Sequence, residues 1–238
     1  MPPHHNPIRF REAWDAIRIL MRDPDDTAQV FRIIRALSGN SQERAFQRFL
    51  RSENGPKILA EKRVLLDTLS DRAYLESLPQ GTLGRAYADF TAREQITADG
   101  LVDASESAPR DDEEVLDPRR VLFGQRVRDS HDLWHVVTGY GRDLFGEAAL
   151  LSFTYRQIRN RGVGFIVAVA YLKSRGAMAG ERVMIRDGFR RAGRAEWLPG
   201  ADWEALLERP LDEVRRTLGV EPIESYEGLR SEGAPALA

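Results

Sequence analysis

Apolar side chains recur every three to four residues at both ends of the chain. Phe10, Ala13, Trp14, Ile17, Leu20 and Met21 share one helical face, and Asp23-Pro24 ends that helix because proline restricts the residue before it. Val30, Phe31, Ile33, Ile34 and Leu37 predict a second helix, closed at Gly39, where a helix C-terminus favours a left-handed residue. Ala45, Phe46, Phe49 and Leu50 predict a third. Leu65, Leu66 and Leu69 predict a fourth, closing near Pro79. The phrase Pro79-Gln80-Gly81-Thr82-Leu83-Gly84 reads as a turn feeding a helix with Tyr87 and Phe90. Asp117-Pro118 reads as an N-cap followed by proline at the first helical position, opening a helix that runs to about Gly139. Trp203, Leu206, Leu207, Leu211, Val214 and Leu218 predict a last amphipathic helix. No segment alternates with a period of two. The expected fold class is therefore all-α, a single-domain helical bundle over residues 8–222, with flexible termini at 1–7 and 226–238.

Composition narrows the function classes. With 238 residues, 42% of them hydrophobic and 30% charged, the chain can bury a sizeable core. A formal net charge of -2 gives no steering toward nucleic acid, but the charge is unevenly spread. Ala98 to Asp117 holds eight acidic residues against Arg110 and reads as a surface loop. Arg156 to Arg194 holds ten basic residues against Glu181 and Asp187, which reads either as a solvated face or as contact with an anionic membrane surface. The absence of cysteine excludes disulfides, thiolate catalysis and cysteine ligation, and fits a reducing cytoplasm. Met1 to Pro7 has no order of a secretory signal, and the apolar run Val163 to Leu172 is well short of the roughly 20 residues that span a bilayer. That run, with glycine at 162 and 164, reads as helix core, with one wall of a lipid tunnel as the alternative. Membrane association is expected to be peripheral.

The chemistry gathers at His131-Asp132-Leu133-Trp134-His135. On a helix of about 3.6 residues per turn, Asp132 lies roughly 100° and His135 roughly 40° around from His131, so the three side chains share an arc. Glu147 follows His135 by twelve residues, which on an unbroken helix would carry it about 18 Å away. Gly139-Tyr140-Gly141 supplies a reversal, and a following helix through Gly146 and Phe153 would return Glu147 to the first. A divalent ion held between two antiparallel helices by His131, Asp132, His135 and Glu147 is the resulting candidate site. The bland alternative, satisfied surface histidines, weakens because these two are the only histidines beyond His4 and His5 and they stand at i and i+4 beside an acid. A zincin would need glutamate directly after the first histidine, where this chain has Asp132. A metal-dependent phosphohydrolase would need a further upstream histidine, and none lies between His5 and His131.

The pattern His131, Asp132, His135, Glu147, with Asp23-Pro24, the phrase Leu78 to Tyr87, Trp203-Glu204, Leu211, Val214, Arg215 and Leu218, resembles the coenzyme Q (ubiquinone) biosynthesis proteins of the Coq-four type over about residues 10 to 220. The resemblance implies an all-helical fold, a bound zinc-like ion, an apolar path for a polyprenyl tail, and removal of the ring carboxylate from a polyprenylated hydroxybenzoate, coupled in the family to hydroxylation at the same carbon. It also implies other ubiquinone biosynthesis proteins as partners. The alternative is a lipid-binding scaffold that organises those proteins, and a homodimer is compatible with either. Nitrogen and oxygen donors admit iron or manganese as well as zinc. Two neutral imidazoles and two carboxylates cancel the charge of a divalent ion, so a carboxylated substrate needs another cation. Arg126 and Arg128, just before the motif, are the candidate catalytic arginines, because guanidinium matches a planar carboxylate. The absence of an organellar presequence points to a bacterial relative, cytoplasmic and peripherally attached to the inner membrane.

Overall fold

The computed structural model describes residues 7–98, 100, 117–174 and 179–229. Among the described residues the regular elements are helical, apart from one isolated bridge between Thr82 and Pro210. In chain order the α-helices are α1 (Phe10–Leu20), α2 (Thr27–Leu37), α3 (Ser41–Leu50), α4 (Gly55–Ala60), α5 (Leu65–Ser70), α6 (Arg72–Ser77) and α7 (Leu83–Glu94). They continue with α8 (Pro118–Asp129), α9 (His131–Thr138), α10 (Leu144–Ile158), α11 (Arg161–Lys173), α12 (Ala179–Ala192), α13 (Trp203–Leu206) and α14 (Leu211–Thr217). The all-α, single-domain expectation holds. No helix among the described residues is long and apolar enough to cross a membrane.

Local chemistry accounts for the principal starts. Thr82 accepts from the Arg85 N–H to open α7, and Asp117 accepts from the Arg119 N–H with Pro118 at the first helical position of α8. Three expected helices are divided. Asp71 takes the Tyr74 N–H at 2.9 Å and starts α6, splitting the predicted fourth helix. Pro210, which has no N–H to offer, separates α13 from α14. Ser130, at ψ -4°, stands between α8 and α9, and its hydroxyl turns back to Val127 O at 3.2 Å. The helix expected to run from Pro118 to Gly139 is thus broken one residue before His131.

The largest apolar cluster gathers Tyr87, Leu133, Trp134, Leu150, Phe153 and Trp203, joining α7, α9, α10 and α13. Helix α10 packs chiefly on α12, whereas α9 packs on α7, α8 and α14. A second cluster ties α1 to α2 and α11 through Ala13, Ile17, Ile33 and Ile166. In a third, Phe123 of α8 meets Phe49 of α3 with ring centroids 4.9 Å apart. The second cluster is thinner than α1's periodicity suggests. Its buried face is Ala13, Ala16, Ile17 and Leu20, while Phe10 is 70% and Trp14 58% exposed.

Residues 226–229, expected to belong to a frayed tail, are instead bonded to the molecule. Leu144 N–H donates to Leu229 O at 2.8 Å, and Leu229 N–H donates to Asp143 at 3.2 Å. The remainder of that tail from 230 onward, residues 1–6, 175–178 of the arginine-rich segment, and 99 and 101–116 of the acidic stretch lie outside the described residues.

Candidate metal centre

Helix α9 is the floor of the site, and the side chains from Asp132 to Thr138 are all buried. Its C-terminal carbonyls, which have no partner within a helix, are met by Arg215 of α14, whose Nε and Nη2 donate to Val137 O and Val136 O at 3.1 Å each. Gly139 ends the helix at φ +79°, a left-handed conformation that costs glycine least, and a Cβ there would lie 3.0 Å from Ile223 O. The chain then reverses. Asp143 restarts it by accepting the N–H groups of Phe145 and Gly146 at 3.0 and 3.2 Å. Gly146 is required by close approach, because a Cβ would fall 2.1 Å from Gly141 O. Tyr226 clasps the turn: its hydroxyl accepts from Gly141 N–H at 2.9 Å and donates to Asp143 Oδ2.

The reversal returns Glu147 to α9. Its Oε1 lies 3.4 Å from His135 Nε2 and its Oε2 3.9 Å from His131 Nε2. His131, Asp132 and His135 offer donor atoms within 4.8 Å of one another. The four residues expected at the site converge, at the point where the first turn of α10 meets α9. The depth is graded. His135 is fully buried and Asp132 nearly so, whereas the side chains of His131 and Glu147 are 26% and 32% exposed and form an open mouth.

The protonation states suit a cation. His135 Nδ1 lies 2.9 Å from Tyr140 O, a carbonyl that can only accept, so that nitrogen carries the proton in the neutral ring. Its Nε2 is buried and has no hydrogen-bond partner. A buried imidazole lone pair left without a partner, aimed at three other donors, fits a divalent ion. Burial opposes ionisation at Asp132, but the hydrogen bond and charge of His131 outweigh it and lower its pKa. Burial likewise opposes the Glu147 carboxylate, and the His135 and His131 charges together with Arg142 overcome this and hold it at about 2. Burial pulls the His135 pKa down, yet the Glu147 and Asp132 carboxylates bring it above the ordinary histidine value. The two carboxylates are thus held ionised, as donors to a cation must be, and a metal would bind His135 by displacing its extra proton.

Sequence reasoning missed the supports. Phe90 of α7 stacks on the His135 ring with centroids 5.6 Å apart. The Tyr140 hydroxyl donates to Asp187 of α12 at 2.8 Å, and Arg191 holds the same carboxylate oxygen at 2.6 Å. Only Asp143, an acid just before an apolar run, carried a local signal, that of an N-cap. The two candidate arginines are engaged elsewhere. Arg126 is buried, with both Nη atoms on Glu204 at 2.7 and 2.6 Å and a further bond to Ala201 O. Arg128 gives its Nε to Asp129 at 2.7 Å and is largely buried. Their neighbourhood in sequence did not foresee these acids, one of them 78 residues away. Beside the turn, Phe145, Gly180, Val183, Met184 and Tyr226 border a cleft of about 490 Å³.

The chain matches the family model for the coenzyme Q (ubiquinone) biosynthesis protein Coq4 over residues 13–224. A mitochondrial ubiquinone biosynthesis protein coq-4 of Neurospora crassa is 32% identical over 171 residues, 71% of this chain and 46% of that protein. A mitochondrial COQ4 of Clavispora lusitaniae is 29% identical over 212 residues, 88% of this chain and 64% of its own length. The chain thus spans about half to two thirds of the curated relatives it matches. A Nostoc punctiforme protein solved by crystallography superposes with a TM-score of 0.63 over 90% of this chain and 99% of its own, at 21% identity, a likeness of fold.

Proposed function

Because the chain belongs to the coenzyme Q (ubiquinone) biosynthesis protein Coq4 family, we propose that it acts in ubiquinone biosynthesis as a metal-dependent decarboxylase of a polyprenylated hydroxybenzoate. The observation that carries this reading is the orphaned, buried Nε2 of His135, facing Glu147 across an open mouth. A divalent ion bound by His131, Asp132, His135 and Glu147, with zinc favoured and iron or manganese compatible with the same donors, supplies Lewis acidity toward a phenol carboxylate.

The residues of the chain do the positioning. Tyr140 O holds the His135 ring, Phe90 backs it, and the cleft beside the turn offers Phe145, Val183, Met184 and Leu229 to an isoprenoid tail, with Glu227 also on its wall. In simple decarboxylation the bond between ring carbon and carboxylate breaks, its electron pair stays on the ring carbon, and a proton replaces the departing carbon dioxide. Coupled hydroxylation at that carbon needs dioxygen as oxidant and a two-electron donor. The same reading includes contact with an anionic membrane. On the outer face of α1 Phe10 and Trp14 are interleaved with Arg11 and Arg18, and Arg22 follows the helix, the pattern of an interfacial helix.

Glu147→Gln keeps the size of the side chain and removes one negative charge from the donor set. In a strain lacking its own copy of the gene, the wild-type chain is expected to restore ubiquinone. The soluble variant is expected to fail, with a carboxylated polyprenyl phenol accumulating. Carbon dioxide release from that precursor by the purified wild-type protein completes the test. A folded Glu147→Gln protein that restores full ubiquinone levels would overturn the catalytic reading in favour of a lipid-binding scaffold.

A further inference from the structure

A third arginine, besides the two before the motif, stands at this mouth. Arg142 lies in the turn between α9 and α10, between two residues that are themselves tied down: Gly141 by Tyr226 and Asp143 by its cap on α10. Its Nε stands 3.6 Å from Glu147 Oε1, outside hydrogen-bond distance, and its side chain is one-third exposed, as Glu147 is. Among the described residues Glu147 is the only acid with which it forms an ion pair, so the far edge of the guanidinium is open to a ligand. Arg126, by contrast, has both Nη atoms taken up by Glu204, and Arg128, tied through its Nε to Asp129, is only 12% exposed.

We propose that Arg142 is the positioning residue that docks the carboxylate of an aromatic ligand at the mouth formed by His131 and Glu147. This rests on the decarboxylase reading above and names how its substrate is distinguished. Two carboxylates and two neutral imidazoles leave a divalent ion without net attraction for an incoming anion. The guanidinium restores it and matches a carboxylate with two parallel donors. It also favours release of the product. Once carbon dioxide has left, the phenol has nothing for Arg142 to hold, so product is bound less tightly than substrate.

The test compares a matched pair of probes, 3-prenyl-4-hydroxybenzoate and 2-prenylphenol, by calorimetry on the full chain, metal-free and zinc-loaded. Wild type is expected to bind the carboxylated probe at least about tenfold more tightly than the phenol. Arg142→Gln should abolish that ratio while leaving phenol and zinc affinities within about threefold of wild type, and Arg142→Lys should recover part of it. An Arg142→Gln protein that keeps the ratio overturns the role of Arg142 alone. One that weakens both probes and zinc alike overturns it too, showing a merely structural brace for Glu147. A wild-type protein indifferent to the carboxylate would sink the decarboxylase reading together with the docking role.

Discussion

The motif hairpin from α9 to α10 and the N-terminal helix α1 break the rule of apolar inside, polar outside in opposite directions. In the hairpin, Asp132, His135, Thr138 and Asp143 are buried among Trp134, Leu133 and Phe145. Burying polar groups is costly unless each is bonded, and here bonds reach them from Tyr140 O, Trp134 O, Tyr226 and the N–H groups of α10. Among the side chains of those four residues the atom left over is His135 Nε2, the one a cation would use; Trp134 Nε1, likewise without a partner, can only donate. In α1, large apolar side chains stand in water although Ala13, Ala16 and Ile17 beside them are buried. Both departures mark surfaces that answer to something besides folding.

The comparison breaks most visibly at Arg126, which the fold holds against Glu204. Arg126→Ala leaves Glu204 only its longer pair with Arg63, 3.8 Å away, and should cost about 3 kcal/mol in urea unfolding, the low end of the range for breaking a buried ion pair. A variant of unchanged stability that lost substrate binding would return Arg126 to the role its sequence position suggested. Next in size, Tyr140→Phe frees Asp187 from the hydroxyl and loosens the backbone that aims His135. Zinc affinity, followed by competition with a chelating dye, should fall about tenfold with little loss of helix content. Undiminished affinity would confine Tyr140 to packing. The smallest stability effect belongs to the other side of the comparison. Phe10→Ser with Trp14→Ser should change unfolding free energy by only about 0.5 kcal/mol each, since both are exposed. The same pair should release the protein from anionic vesicles, and added salt should weaken wild-type binding by screening Arg11, Arg18 and Arg22. Vesicle binding unchanged by both substitutions would leave α1 without that role.

Those contrasts also explain which features were legible in the sequence. The approach of His131, Asp132, His135 and Glu147, the proline start of α8 and the left-handed Gly139 depend on spacing and on single-residue backbone preferences, so local reading reached them. The break at Ser130 was hidden because no proline or glycine announces it. The short α4 has too few residues for a periodic signal, and Pro210 was overridden by an apolar pattern that runs past it. Periodicity at α1 reported its apolar residues correctly but could not say that α2 and α11 would cover only half of them. The pairing of Arg126 with Glu204, and of Tyr140 with Asp187, depends on which helices meet, and that is a property of the whole chain.

The clasp of Tyr226 and Leu229 on Asp143 joins residues 83 and 86 positions apart. During synthesis the donors His131 to Glu147 therefore leave the ribosome while the piece that fixes their turn is still unmade. If these side chains bind an ion, its capture is a late step of biogenesis, and nascent chains arrested before residue 226 should hold zinc loosely and surrender it to cellular chelators.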